Sequence, residues 1–307
     1  MTEIKRIVIW GAGAMGALYA QKFYDYDQDC IYLLANGGRY ENLVNNGLTV
    51  NGTTFYPRVI RPGEKTLPFD LAIVSLKHHH LIKSISEIKR AIADETIIMS
   101  VMNGIDSEHI LGDAYGREKV LPTVAVGMDA LREKGRVVYT NEGRLIFGSS
   151  ENSQDNEKIE RVKRLFEAAN IAHEVSADMT RPMWWKLMVN VGVNQTSAVL
   201  RAPFGIFQHS KSARSLMQMA MTEVVAIAKA LKINLDEKDL EEWSRILKKL
   251  SPDGKTSMLQ DVEAGRKTEV EIFAGKIKEL GEKLGQPTPV NDTLFAIIKA
   301  YEEMLRL

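Results

Sequence analysis

Cysteine is almost absent: the 307 residues include one, Cys30. A single thiol excludes an intrachain disulfide and any cysteine-based metal cluster, and it fits a reducing, cytoplasmic setting. Long apolar runs are missing too. The run that follows Met1-Thr2-Glu3-Ile4-Lys5-Arg6 is only a few residues long. That is too short for a signal-peptide core, and no stretch approaches the ~20 apolar residues of a membrane span. A soluble protein that is not exported is expected. Charge of one sign is also lacking, since Lys plus Arg and Asp plus Glu both number 40. Binding to nucleic acid or a membrane surface usually rests on a basic excess, so neither is expected here. Only a local basic pocket stays open.

What is present reads as an ordinary globular chain, 45% hydrophobic and 26% charged, and long enough for two domains. Ile4 to Trp10 is a short Ile/Val-rich run suited to a strand buried on both faces. Gly11-Ala12-Gly13-Ala14-Met15-Gly16 follows at once, and Ala17 to Tyr24 reads as a helix. Cys30 to Leu34, Leu71 to Leu76, Thr96 to Val101 and Val120 to Val126 read as further strands, with a helical stretch around Leu81 to Ala91. Strands alternating with helices imply a doubly wound parallel sheet. Arg136 to Gly148, split by Asn141-Glu142-Gly143, reads as a hairpin. Beyond Ala177 strand-like runs vanish, and helical patterns fill 180–200, 212–232, 236–250, 269–284 and 290–306. The fold expected is therefore α/β: an N-terminal Rossmann-like domain over 1–177, then an all-α domain over 178–307.

The glycine cluster is a G-x-G-x-x-G pattern with a strand before it and a helix after it, which is the context of a dinucleotide-binding turn. Gly11 would make the tight turn, Gly13 would admit the pyrophosphate, and Gly16 would let helix and strand pack closely. The helix N-terminus would face the phosphates. The plain alternative is a tight turn with no ligand. About twenty residues on, an acidic side chain usually binds the ribose 2′-hydroxyl of NAD. Here the chain reads Ala35-Asn36-Gly37-Gly38-Arg39, without a carboxylate. Arg39 could pair with a 2′-phosphate, which favours NADP; otherwise it opens a surface helix. Ligands in such sheets bind beyond the carboxyl ends of strands. Lys77 and Asn103-Gly104 stand at such ends and are either site or loop residues. His78-His79-His80 suggests a metal, but consecutive side chains point apart from a helix, so a solvated helix start is the better account. No metal-ligand constellation is evident.

In the second half, Lys186, Asn190 and Asn194 recur at steps of four among Trp, Leu, Met and Val. At about 100° per residue they share one helix face. A polar line on an apolar helix needs partners, because an unpaired buried amide costs ~1–3 kcal/mol. The line either satisfies backbone groups or lines a cleft facing a nicotinamide. In Ser257 to Glu269, the pattern alone does not choose Ser257 or Glu269 over Asp261 or Glu263.

Taken together, these motifs resemble the ketopantoate reductases (2-dehydropantoate 2-reductases) over essentially the whole chain. The resemblance is carried by Gly11 to Gly16, Lys77, Asn103-Gly104-Ile105, Lys186 with Asn190 and Asn194, Ser257-Met258-Leu259-Gln260-Asp261, and Thr268-Glu269. It implies NADPH-dependent reduction of 2-dehydropantoate to (R)-pantoate, on the path to pantothenate and coenzyme A. It also implies that Lys186 is the catalytic lysine and that Glu269 works with it and with the substrate's hydroxyl end. Asn103, Asn190, Asn194 and Ser257 would orient the substrate or the nicotinamide, and Lys77 would lie on the cofactor side. Asn36 stands where the family usually has an arginine for the 2′-phosphate, and Met102 where glutamine is common. Other 2-oxo or 2-hydroxy acids occur as substrates on this scaffold, and a non-catalytic nucleotide sensor is the reading from another class. Among partners, a small 2-oxo acid is expected, and a homodimer is the assembly carried forward.

Overall fold

The computed structural model describes residues 3–133, 135–149 and 156–305. It divides into two compact units, Met1–Met179 and Thr180–Leu307.

The first unit is built around a five-stranded sheet. Its strands are β1 (Ile7–Trp10), β2 (Ile31–Leu34), β5 (Arg58–Ile60), β6 (Leu71–Val74) and β7 (Ile97–Ser100), in the order β5-β2-β1-β6-β7 and all parallel. The chain runs outward from β1 through β2 to β5, then crosses to β6 on the other side of β1. The direction of winding therefore reverses between β1 and β6, the position at which such sheets open a ligand crevice. β1, β2, β6 and β7 are buried throughout, which explains their unbroken apolar runs. One face, with Ile7, Ile9 and Leu33, packs on α1 (Ala14–Tyr26) through Leu18 and Phe23 and on α5 (Asn156–Ala168) through Val162 and Phe166. The other, with Val8, Trp10 and Val74, packs on Leu81 of α3 (His78–Ser84) and Leu111 of α4 (Ser107–Tyr115). Alternation along each strand thus places one helical layer on each face.

Two smaller sheets complete this unit. The first joins β3 (Leu48–Val50), β4 (Thr53–Phe55), β9 (Leu131–Glu133) and β10 (Arg136–Val138) in the order β4-β3-β10-β9. Its β3–β4 hairpin turns at Asn51-Gly52, both left-handed at φ 47° and 85°, as a two-residue hairpin turn requires. The second joins β8 (Thr123–Met128), β11 (Glu142–Gly148) and β12 (His173–Ser176) in the order β12-β11-β8. Between β2 and β3 lies α2 (Gly37–Asn46).

Two expectations are corrected here. Arg136–Val138 and Glu142–Gly148 do not pair with each other, since β10 joins β9 and β3 while β11 joins β8 and β12. The Asp129 carboxylate accepts the Thr140 and Asn141 N–H groups at 2.8 Å each, tying the chain that leaves β10 to the end of β8. The helix expected over Leu81 to Ala91 ends at Ser84, with only a 3-10 turn at Lys89–Ala91. The Tyr115 hydroxyl takes the Ile85 carbonyl, and the Lys89 N–H turns to the Ser86 carbonyl at 3.4 Å instead, so the helical ladder is not continued.

The second unit is helical. α6 (Thr180–Val189) passes through a π turn at Asn190–Asn194 into α7 (Gln195–Leu200). Then come α8 (Phe204–His209), α9 (Lys211–Ala230), α10 (Glu237–Leu247), α11 (Ser257–Glu263), α12 (Ala274–Leu284) and α13 (Pro289–Met304). The Ser210 side chain caps α9, and Asp236 with Asp239 forms a capping box on α10. α9 buries Met217, Met221, Val224 and Val225, and a Cβ at Gly192 would stand 2.3 Å from Met221 Cγ, so the π turn lies directly on this helix. Buried Gln195 donates to the Val191 carbonyl at 2.7 Å and to Asn291 Oδ1 at 3.2 Å, and accepts from Ala274 N–H at 2.9 Å. This amide joins α7 to α12 and α13. Among the described residues no helix is long and apolar enough to cross a membrane.

Candidate functional site

In the first unit the loop between β1 and α1 uses its three glycines differently. Gly11 has φ 106°, and a Cβ there would lie 2.4 Å from the Ser75 carbonyl oxygen at the end of β6. At Gly16 a Cβ would lie 2.0 Å from the Gly11 oxygen. Close packing of the chain on itself requires both. Gly13 has an ordinary φ of −71°, and a Cβ there meets only Ser75 O at 4.0 Å, so the protein itself has no need of glycine at this position. The space in front of Gly13 is a cradle that a side chain would fill. Ala12 precedes it, and Ala14, Met15 and Gly16 form the first turn of α1, which starts without a side-chain cap or an acidic residue. The positive end of that helix is therefore open to an anion.

Cations gather at the loop. Arg39, in the first turn of α2, donates from Nη2 to the Ala12 carbonyl at 2.5 Å, and Arg132, on β9, donates from Nη1 to the same oxygen at 2.7 Å. Burial of its guanidinium, and then the charge of Arg132, lower the Arg39 pKa. Arg132 is lowered by burial alone. Burial also lowers the pKa of His80, with the Arg39, Lys83 and Lys77 charges contributing. His78, His79 and His80 form the start of α3, and among the described residues no group of three potential ligand side chains could hold a metal. Lys77 follows β6 at the N-cap position of α3, and Asn103 follows β7 just before Gly104 at φ 90°; both are half-buried. Asn36 is not turned to the loop: its side chain accepts the Gly37 N–H at 2.7 Å and caps α2.

The second unit holds the other candidates. Asn190 and Asn194 are buried, at 9% and 7% exposed, and the Asn194 amide donates to Asn190 Oδ1 at 3.2 Å. The same amide reaches Ser257 Oγ at 3.5 Å, which brings the start of α11 to the π turn. Asn190 Nδ2 is buried without a hydrogen-bond partner among the described residues. Half-buried Lys186 lies one turn earlier on α6. Glu269 is 6% exposed, at the N-cap position of the 3-10 turn Val270–Ile272. Glu302 fixes its neighbour Thr268, accepting from the Thr268 N–H at 2.8 Å and from Oγ1 at 2.6 Å. Two of the carboxylates that the sequence left open are paired, Asp261 with Arg266 and Glu263 with Lys255, each at 2.9 Å.

Sequence reasoning missed Arg132. It is one arginine on a short strand, 120 residues from its acceptor, and carries no local pattern. His80 is exposed at the start of α3, as the sequence predicts, and the Arg39, Lys83 and Lys77 charges reach it there.

Comparison with known proteins supplies a family. Residues 7–152 match the model for "Ketopantoate reductase PanE/ApbA", and residues 178–302 the model for its C-terminal part. The 2-dehydropantoate 2-reductase of Pyrococcus horikoshii is 27% identical over 304 residues, spanning 97% of this chain and 98% of its own. Among solved structures, 2-dehydropantoate 2-reductase from Geobacter metallireducens superposes with a TM-score of 0.86 at 26% identity, over 96% and 99% of the two chains. D-mandelate dehydrogenase with NADH and anilino(oxo)acetate superposes with a TM-score of 0.89 at 22% identity, over 98% and 99%, a likeness of fold.

Proposed function

Since the chain belongs to the ketopantoate reductase family, an oxidoreductase family, we propose that it reduces 2-dehydropantoate to (R)-pantoate with NADPH, in the cytoplasm, on the path to pantothenate and coenzyme A. The observation that carries this reading is the buried Asn190 Nδ2, without a partner among the described residues and in line with Lys186 and Asn194. A buried donor without a partner costs ~1–3 kcal/mol, a cost that a bound carbonyl or carboxylate would offset. The reading of a dinucleotide cofactor is supported by the cradle at Gly13 and by the cations around it.

The bound nicotinamide supplies a hydride to the ketone carbon. Negative charge then grows on the ketone oxygen, and the Lys186 ammonium is the group to stabilise it and to donate a proton there. The resulting neutral amine regains its proton from solvent. Asn190 and Asn194 orient the ketone and carboxylate as neutral donors, adding no competing charge. Ser257 Oγ gives one further hydrogen bond to the carboxylate. Glu269 accepts the hydroxyl at the other end of the substrate and works with Lys186. Lys77 and Asn103 serve the cofactor side, with Asn103 also touching substrate.

A panel of 2-oxo acids assayed with NADPH and with NADH tests this. The highest kcat/KM is expected for 2-dehydropantoate with NADPH. A higher value for another 2-oxo acid would replace the substrate, and nucleotide binding without any turnover would replace the enzyme with a sensor. One observation favours a second reading, in which NADH serves: Asn36, just after β2, is neutral and caps α2, so it brings no charge to a 2′-phosphate. The same panel separates the two.

A further inference from the structure

The meeting of two guanidinium groups on the Ala12 carbonyl needs an explanation. Arg39 and Arg132 come from separate elements, α2 and β9, and donate to the same oxygen at 2.5 and 2.7 Å. Like charges at such proximity repel, and one neutral carbonyl does not compensate two cations. Among the described residues neither arginine forms an ion pair with a carboxylate. The lowered pKa of Arg39, set by burial and then by Arg132, reflects the same crowding. A doubly negative group seated against the pair would remove the repulsion. Each guanidinium carries five N–H donors and spends one of them on Ala12, so both keep donors for a phosphate.

Position decides which phosphate. In this fold the helix N-terminus after the glycine loop takes the pyrophosphate, and the residues just after the second strand read the ribose 2′ position. Arg39 stands two residues into α2, directly after β2, and Arg132 converges on the same point. Asn36 is committed to capping and leaves that role unfilled.

We propose that Arg132 is a second ligand for the 2′-phosphate of the cofactor, closing with Arg39 a guanidinium pair across the glycine loop. With Asn36 capping α2, the pair supplies the cations at that position. This rests on the NADPH reading above and adds a specificity-determining residue to it.

The test is direct titration of the full chain with NADPH and NADH, and with the fragments adenosine 2′,5′-bisphosphate and 5′-AMP. Charge-assisted phosphate contacts are worth roughly 10- to 100-fold in affinity. Arg132→Gln should weaken NADPH and the bisphosphate by about that factor, while NADH and 5′-AMP change by less than about 3-fold. Retained NADH binding also shows that the variant is folded. Arg132→Lys, which keeps the charge but not the fork, should recover part of the loss. An equal loss for all four ligands would assign Arg132 to the loop or the pyrophosphate and overturn the proposal, as would no loss for any. Wild-type discrimination that survives Arg132→Gln overturns the proposal alone. Wild-type protein that binds both fragments equally overturns it together with the NADPH reading.

Discussion

The loop after β1 and the π turn after α6 both present hydrogen-bond donors, but they are assembled from different parts of the chain. In the loop the donors are backbone groups at an uncapped helix start, and the charge is brought in by Arg39 and Arg132 from other elements. In the π turn the donors are side-chain amides, buried and neutral, with one lysine a turn away. The contrast follows the ligands proposed for each. A dinucleotide carries fixed negative charge and is held by cations and a helix dipole. A ketone becomes charged only during reaction, so it is better met by neutral donors and one mobile proton. Substitutions should therefore separate binding from chemistry, region by region.

The sharpest separation is Lys186→Ala. It should lower kcat by roughly 10²–10⁴-fold with little change in NADPH affinity, checked by steady-state kinetics beside cofactor titration. Near-normal turnover would make Lys186 structural.

The loop offers an internal contrast between two of its glycines. Gly13→Val should abolish measurable NADPH binding, a loss of at least about 10²-fold, while unfolding free energy moves by less than about 1 kcal/mol. Gly16→Ala should do the opposite first, costing about 1–3 kcal/mol or more, because its Cβ would fall 2.0 Å from the Gly11 oxygen. Denaturant melts of both variants decide this, and equal stability losses would remove the argument that Gly13 is kept for a ligand.

Asn194→Ala should lower kcat/KM by about 10-fold, the scale of one lost hydrogen bond to a bound acid, with the fold retained. If only the Tm drops, the amide line serves structure.

The smallest effect is expected at Asp129, which ties down the chain three residues from Arg132. Burial pushes its carboxyl pKa up, but the Thr140 hydroxyl and the Asn141 and Thr140 N–H groups outweigh that, and the net is down. A folded-state pKa below the unfolded one stabilises above the unfolded value, and that gain is lost as pH falls through the folded value. Because Asp129 is exposed and solvent screens its contacts, Asp129→Asn should cost well under about 1 kcal/mol at pH 7 and progressively less below pH ~4. A cost that does not change with pH would put the effect elsewhere.

How much of this was legible in the sequence depended on how local each feature is. β1, the glycine loop and α1 are adjacent in the chain, and strands buried on both faces have a plain apolar signature. The hairpin assigned to Arg136–Gly148 failed because strand partners were decided by Asp129, outside that window. The hairpin at Asn51-Gly52 carries its signal in the turn alone, because its strands, Leu48–Val50 and Thr53–Phe55, are too short to show a pattern. Steps of four at Lys186, Asn190 and Asn194 fit an α-helix, so nothing marked the π turn. The roles given to Lys186 and Glu269 came from resemblance: the polar line marks Lys186 without assigning its chemistry, and nothing in its segment singles out Glu269. Among Ser257, Asp261, Glu263 and Glu269 the pattern sets no preference, since the partners of Asp261 and Glu263, Arg266 and Lys255, follow only from the fold.

The π turn also acts as a counting device. It holds one residue more than an α-helix of the same rise, and everything after it is phased by that surplus. A chain one residue shorter at Val191 or Val193 would give up that surplus and run as plain α-helix into α7 near its present phase, whereas one shorter within α6 would turn Gln195–Leu200 by roughly 100° about the axis. Gln195 would then swing away from Asn291 and from the Ala274 N–H, the two bonds that fasten α7 to α13 and α12. The spacing of Asn190 and Asn194 therefore depends on the surplus residue, and the assembly of the helical unit on the phase behind it, so deletions at the two places would part the two.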